Sequence, residues 1–118
     1  MSIFSKEHRI TWLHIAIMAI AVVLAYSKIF NAGFMSWDDI DYVFHTPDIS
    51  SFTAEHLKNM WSEYYIGNYQ PLPMMSYALD YLIVGDKPFI YHLTNIVWHI
   101  ADVILLYACI KKMGGNAY

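Results

Sequence analysis

Asp38 and Asp39 stand side by side in Phe34-Met35-Ser36-Trp37-Asp38-Asp39, directly after an apolar segment of membrane length. Neighbouring carboxylates repel, so one pKa tends to rise unless a cation sits between them. A carboxylate with a raised pKa suits a general base that takes a proton from a hydroxyl. An ionised pair instead suits Mg²⁺ or Mn²⁺, which prefer oxygen ligands. Asp residues also make turns and helix N-termini. Residue type alone therefore leaves catalysis, metal binding and turn formation open.

A second constellation is the polar series His92, Asn95, His99 and Asp102, spaced by three, four and three residues. In a helix that spacing places all four on one face. Polar side chains inside a membrane face protein or a wet cavity. The series thus reads either as interhelical glue through hydrogen bonds or, for His92 at the outer end, as a group within reach of the loop carboxylates. Asp102 has His99 as its expected local partner. His45 and His56 form no metal pattern and are expected to be exposed. The single cysteine, Cys109, reads as a small apolar filler. Tyr64, Tyr65 and Tyr69 read as interface anchors, with sugar stacking as the alternative.

Two elements must position these residues. The chain is 58% hydrophobic and 14% charged, against about 45–50% and about 25% in globular domains, which points to membrane. Its net charge of −3 and lack of a basic patch argue against a nucleic-acid partner. Residues 10–30 form the first expected transmembrane helix. Its core, Ile10 to Ser27, is free of Asp, Glu, Lys and Arg and covers roughly 27 Å. A cleavable signal peptide is the rival reading, with Lys6 and Arg9 before the apolar core and Ala25-Tyr26-Ser27 at the cleavage position. Residues 89–110 form the second expected span, closed by Lys111, Lys112 and Gly114-Gly115.

Basic residues flank the start of the first span and the end of the second, so the positive-inside rule puts residues 1–9 and 111–118 in the cytoplasm. The loop 31–88 then faces outward. It holds Asp38, Asp39, Asp41, Asp48, Glu55, Glu63, Asp80 and Asp86, eight of the ten carboxylates. Helices are expected in it near 53–65 and 73–84. Thr53 caps the first, where Leu57, Met60, Trp61 and Tyr64 make an apolar stripe. The second starts at Pro71 and Pro73 and stops at Gly85. It sets Met75, Leu79, Leu82 and Ile83 against a wet face of Ser76 and Asp80, and reads as an interfacial helix or as one packed on a small core. The expected fold is an all-α membrane protein: two transmembrane helices joined by an extracytoplasmic loop containing interfacial amphipathic helices.

Several short motifs recur in a telling order: Phe34-x-x-Trp37-Asp38-Asp39, Tyr69-x-Pro71-Leu72, Ser76-Tyr77-Ala78-Leu79-Asp80-Tyr81, and Gly85-x-x-Pro88-x-x-Tyr91-His92-Leu93-x-Asn95 with His99 beyond. Over roughly residues 10–110 the chain resembles the N-terminal part of GT-C superfold polytopic glycosyltransferases. It is most like the membrane proteins with C-terminal tetratricopeptide repeats related to the protein O-mannosyltransferases. The resemblance implies a sugar donor on polyprenyl phosphate and an acceptor hydroxyl outside the cytoplasm. It puts Asp38 and Asp39 at the active site, as general base or metal ligands, with His92 nearby. Where Asp102 stands, the family leads one to expect Asn. Partners would be membrane lipid, the polyprenyl-linked sugar, and either further C-terminal helices or a partner membrane protein. The location implied is a bacterial inner membrane or a plasma membrane. The family has many more spans, so the expectation is an N-terminal fragment, inactive alone and truncated within 111–118. The competing expectations are a non-enzymatic two-span subunit that docks through its polar face, and a secreted acidic domain with a cleaved signal.

Overall fold

The computed structural model describes residues 6–114. The expectations for residues 1–5 and 115–118, including Gly115, lie outside the described residues. Helix α1, Lys6–Ala25, is continuous because its run of Ile, Ala, Leu, Val and Met contains neither Pro nor Gly. A 3₁₀ turn, Ser27–Asn31, follows. Helix α2 is Asp38–Val43, and a 3₁₀ turn at Pro47–Ser50 leads to α3, Ala54–Ser62. Helix α4 is Pro71–Val84 and α5 is Pro88–Lys112. Among the described residues there is no strand, and two helices are long and apolar enough to cross a bilayer, at His8–Ala25 and Pro88–Lys112. Over the described residues the chain is an all-α membrane protein with two spans.

The chain divides into two compact units, Met1–Ile29 with Asn95–Tyr118, and Phe30–Thr94. In the first unit, α1 and the later part of α5 meet through long polar and aromatic side chains. The His14 Nδ1 and Tyr107 hydroxyl are 3.0 Å apart, their rings edge to face. Lys111 Nζ donates to Thr11 Oγ1. Tyr26 lies edge-on to His99 at 5.4 Å between ring centres. Ile17, Ile20, Leu24, Leu105 and Leu106 are all exposed, as expected of helix surface that hydrocarbon solvates.

The second unit has a true core: Ile49, Met60, Met74 and Ala78 are buried, with Tyr42, Phe52, Tyr65 and Tyr77 packed around them. Ile49 comes from the Pro47–Ser50 turn, Met60 from α3, and Met74 and Ala78 from one face of α4. Local signals fix these elements. The Thr53 hydroxyl accepts the His56 N–H at 3.1 Å and caps α3. Pro71 opens α4, and Gly85, at φ 66°, closes it in a conformation that disfavours a side chain. Asp48 ties the turn to its surroundings: Oδ1 accepts from Asn59 Nδ2 at 2.9 Å, and Oδ2 from the Tyr65 hydroxyl at 2.7 Å. Burial, then this bond to Asp48, pushes the Tyr65 phenol pKa up. Beyond α3, Tyr65 and Asn68 exchange two backbone hydrogen bonds of 2.9 Å around Ile66 and Gly67, both at positive φ.

Two details differ from the sequence reading. Of the α3 stripe, Met60 is buried and Leu57 half-buried, while Trp61 is exposed within the helix and Tyr64, beyond its end at Ser62, is exposed too. His56 is half-buried, not exposed, with Nδ1 against both the hydroxyl and the carbonyl of Ser51.

Candidate functional site

The two adjacent carboxylates have different surroundings. Both lie in the first turn of α2 with Asp41, where carboxylates suit the positive end of the helix. Asp39 is half-buried, and its Oδ2 accepts the Met35 N–H at 2.8 Å, which folds the approach to α2 back onto the helix. Asp38 is exposed, and among the described residues its carboxylate has no hydrogen-bond or ion-pair partner. Asp39 therefore does the turn-forming work, and Asp38 is left open to an incoming group. Asp41 is paired with His45, Nδ1 to Oδ1, at 2.8 Å.

Near Asp39 stands a row of aromatic side chains that the motifs do not mark as a site. Tyr42 and Tyr77 have ring centres 5.8 Å apart, Tyr77 and Tyr91 6.1 Å, and Phe34 and Tyr91 5.2 Å. Tyr91 is anchored by its hydroxyl, which donates to the Gly85 carbonyl at 2.9 Å. Burial, followed by the negative charge of Asp39, raises the Tyr77 pKa, so this phenol stays protonated beside the carboxylate pair. Tyr77 and Tyr91 both fall within the short motifs that carry the family resemblance.

Asp80 corrects an expectation. It was placed on the wet face of α4, but it is 4% exposed. Thr94 Oγ1 donates to its Oδ1 at 2.6 Å. Loss of solvent raises its pKa, and the Thr94 bond opposes that shift. The exposed side of α4 carries Leu72, Leu79, Leu82 and Ile83 instead, while Met74 and Ala78 hold the core. The helix thus combines the two readings the periodicity left open, with a packed face and an apolar outer face.

His92 belongs to this unit and is half-buried. Its Nε2 lies 3.2 Å from the Ala32 carbonyl, and its ring is 6.4 Å from that of Phe34. Among the described residues it bonds neither carboxylate. It secures the segment leading to the Asp pair. Asn95, His99 and Asp102 continue along α5 in the other unit, all exposed. His99 lies against Tyr26, and among the described residues Asp41–His45 is the one carboxylate–imidazole pair, so the expected His99–Asp102 partnership is not formed. Nor, among the described residues, do three His, Cys, Asp or Glu side chains converge on a metal position.

The chain has relatives that bear on this geometry. Protein O-mannosyl-transferase TMTC1 of Mus musculus is 26% identical over 111 residues, covering 86% of this chain and 12% of its own length. TMTC1 of Homo sapiens is 27% identical over 111 residues with the same coverage, and TMTC3 of Mus musculus 27% over 115 residues, 88% of this chain and 12% of its own. The chain is related to these transferases. It spans about an eighth of their length. No protein-family profile and no solved structure matches it.

Proposed function

We propose that this segment forms the acceptor-activating part of a membrane glycosyltransferase of the GT-C type, which moves a sugar from polyprenyl phosphate to a hydroxyl outside the cytoplasm. The observation that carries the reading is the division of labour at α2: Asp39 is held by the Met35 N–H, and Asp38 is exposed and unengaged. In this reading Asp38 takes the proton of the acceptor hydroxyl as its oxygen bonds to the anomeric carbon. The sugar's bond to the polyprenyl phosphate breaks in the same step, and the phosphate leaves with the bonding electrons. Asp39 keeps Asp38 in place, and a divalent cation at the pair would offset charge on the leaving phosphate. The names of the relatives favour mannose as the sugar. Because the relationship covers 12% of each relative, the donor's groups are assigned to chain beyond this segment, and the 118 residues alone are inactive. Positive-inside placement of Arg9, Lys111 and Lys112 puts both termini in the cytoplasm and the Asp pair outside.

The test is transfer from polyprenyl-phosphate mannose to acceptor peptides in native membranes, with these residues carried in a full-length transferase. Asp38→Asn is expected to lower the rate roughly 10²–10⁴-fold, the usual contribution of a general base. Undiminished transfer by both Asp38→Asn and Asp39→Asn sinks the catalytic reading.

The exposed Asn95, His99 and Asp102 favour a second reading, a two-span subunit that docks on another membrane protein. Co-purification of a stoichiometric partner, lost on replacing these three by Leu while transfer is absent throughout, would select it.

A further inference from the structure

Where α1 and α5 face each other in the first unit they leave a groove of about 300 Å³. Ile15, Ile104 and Ala108 line its length, with Tyr107 beside them. Lys111 and Lys112 also line it, and no acidic residue does. Lys111 is half-buried and folded back, its ammonium on the Thr11 hydroxyl, so one cation is held over the groove instead of trailing into solvent.

We propose that this groove binds an anionic phospholipid, with one acyl chain along Ile15, Ile104 and Ala108 and the phosphate on Lys111 and Lys112. Three features select this occupant. Two lysines in the last turn of α5, with no carboxylate in the lining, call for a negative partner. Basic pockets between spanning helices are suited to acidic headgroups. Ile15, Ile104 and Ala108 beside these lysines give the groove an apolar lining as well as charge, which suits an amphiphile and not a soluble phosphate. A helix is the rival occupant. Two turns of one occupy roughly 800 Å³ on a 10 Å diameter, so a helix could set only a ridge of side chains into this space. It would also need a carboxylate at the level of the lysines.

The site is remote in sequence from the Asp pair and does not depend on the catalytic reading. It requires only that α1 and α5 cross a bilayer. The experiment is lipid retention. The chain is reconstituted in phosphatidylcholine vesicles containing a minority of phosphatidylglycerol and extracted in mild detergent, and the retained lipid is measured by mass spectrometry. Phosphatidylglycerol is expected to be enriched over its share of the vesicle. The Lys111→Gln, Lys112→Gln double variant should lose roughly tenfold of that enrichment, and Ala108→Trp, which fills the groove and keeps both lysines, should lose it as well. A phosphatidylglycerol probe with a photoreactive acyl chain, used on the unaltered chain, should label the Ile104–Ala108 turn, which makes the result independent of variant folding. Equal retention of both lipids, or enrichment that survives Ala108→Trp in a folded chain, overturns the proposal. So does a protein–protein adduct at this turn in place of a lipid adduct.

Discussion

At Asp38 and Asp39 the two identical side chains are separable by experiment. Asp39 accepts a backbone N–H and Asp38 makes no such bond, so their stability effects should diverge. Asp39→Ala is expected to cost about 1 kcal/mol, the net value of one hydrogen bond. Asp38→Ala should stay within about 0.5 kcal/mol, as for ordinary surface changes. Denaturation followed by circular dichroism checks both, and equal effects would contradict the assigned division. Asp80 gives a pH signature. Its folded pKa is raised by burial, so the native state holds this proton more tightly than the unfolded chain does. Its stability contribution is then complete below the unfolded carboxyl pKa and is lost as pH rises through the folded one. Asp80→Asn keeps an acceptor for Thr94 and removes the charge. It should raise the unfolding midpoint at pH 7 and change it little at pH 4. Thr94→Val, which leaves the carboxylate without its donor, should lower the unfolding free energy at pH 7 by about 1–3 kcal/mol. The Asp38-Asp39 dipeptide was visible in the sequence. The burial of Asp80 was not, because its partner lies fourteen residues on in another helix and nothing local marks it.

At the scale of elements, short-range signals carried most of the information. Thr53 as a cap, Pro71 as an opener and Gly85 as a stop are local chemistry, and each stands where the backbone uses it. The end of α3 was harder to read. The apolar repeat continues through Tyr64, yet the helix stops at Ser62, because the Asp48–Tyr65 bond draws the following residues into the turn. The six-residue α2 and the 3₁₀ turn holding Ile49 have too few residues to show a period. The turn is held because Ile49 is buried with Met60 and α4, and α2 sets Tyr42 against the same core. Two substitutions separate these influences. Thr53→Ala should cost about 1 kcal/mol through the lost cap. Met60→Ala, which opens space in the core, should cost about 2–5 kcal/mol. Chemical denaturation of the reconstituted chain measures both, and a cap effect larger than the core effect would reverse the assignment.

For the whole molecule, the two spans were legible because length and hydropathy are summed over many residues and tolerate local error. Their sidedness is testable. With Cys109 replaced by Ala, a single cysteine introduced at Asp38 should react with a membrane-impermeant maleimide added outside intact cells, and one at Lys112 should react only after permeabilisation. The reverse pattern would place the Asp pair in the cytoplasm and remove the proposed acceptor hydroxyl from its reach. The packing partners of Asn95, His99 and Asp102 were less legible, since periodicity identifies a face of a helix but not what lies against it.

The turn around Ile66 has a consequence for handling this protein. A β-branched residue stands there at φ 51°, 44% exposed, although a left-handed backbone costs a side-chain-bearing residue roughly 1–2 kcal/mol. Two-residue turns of this shape favour Asn-Gly, and Gly67 already supplies the second half. Ile66→Asn should therefore raise the unfolding free energy by about 1 kcal/mol without altering either span or either carboxylate. A single-letter edit at a solvent-facing bend would then give a sturdier starting chain in which each of the weaker variants above can be made and still be recovered folded.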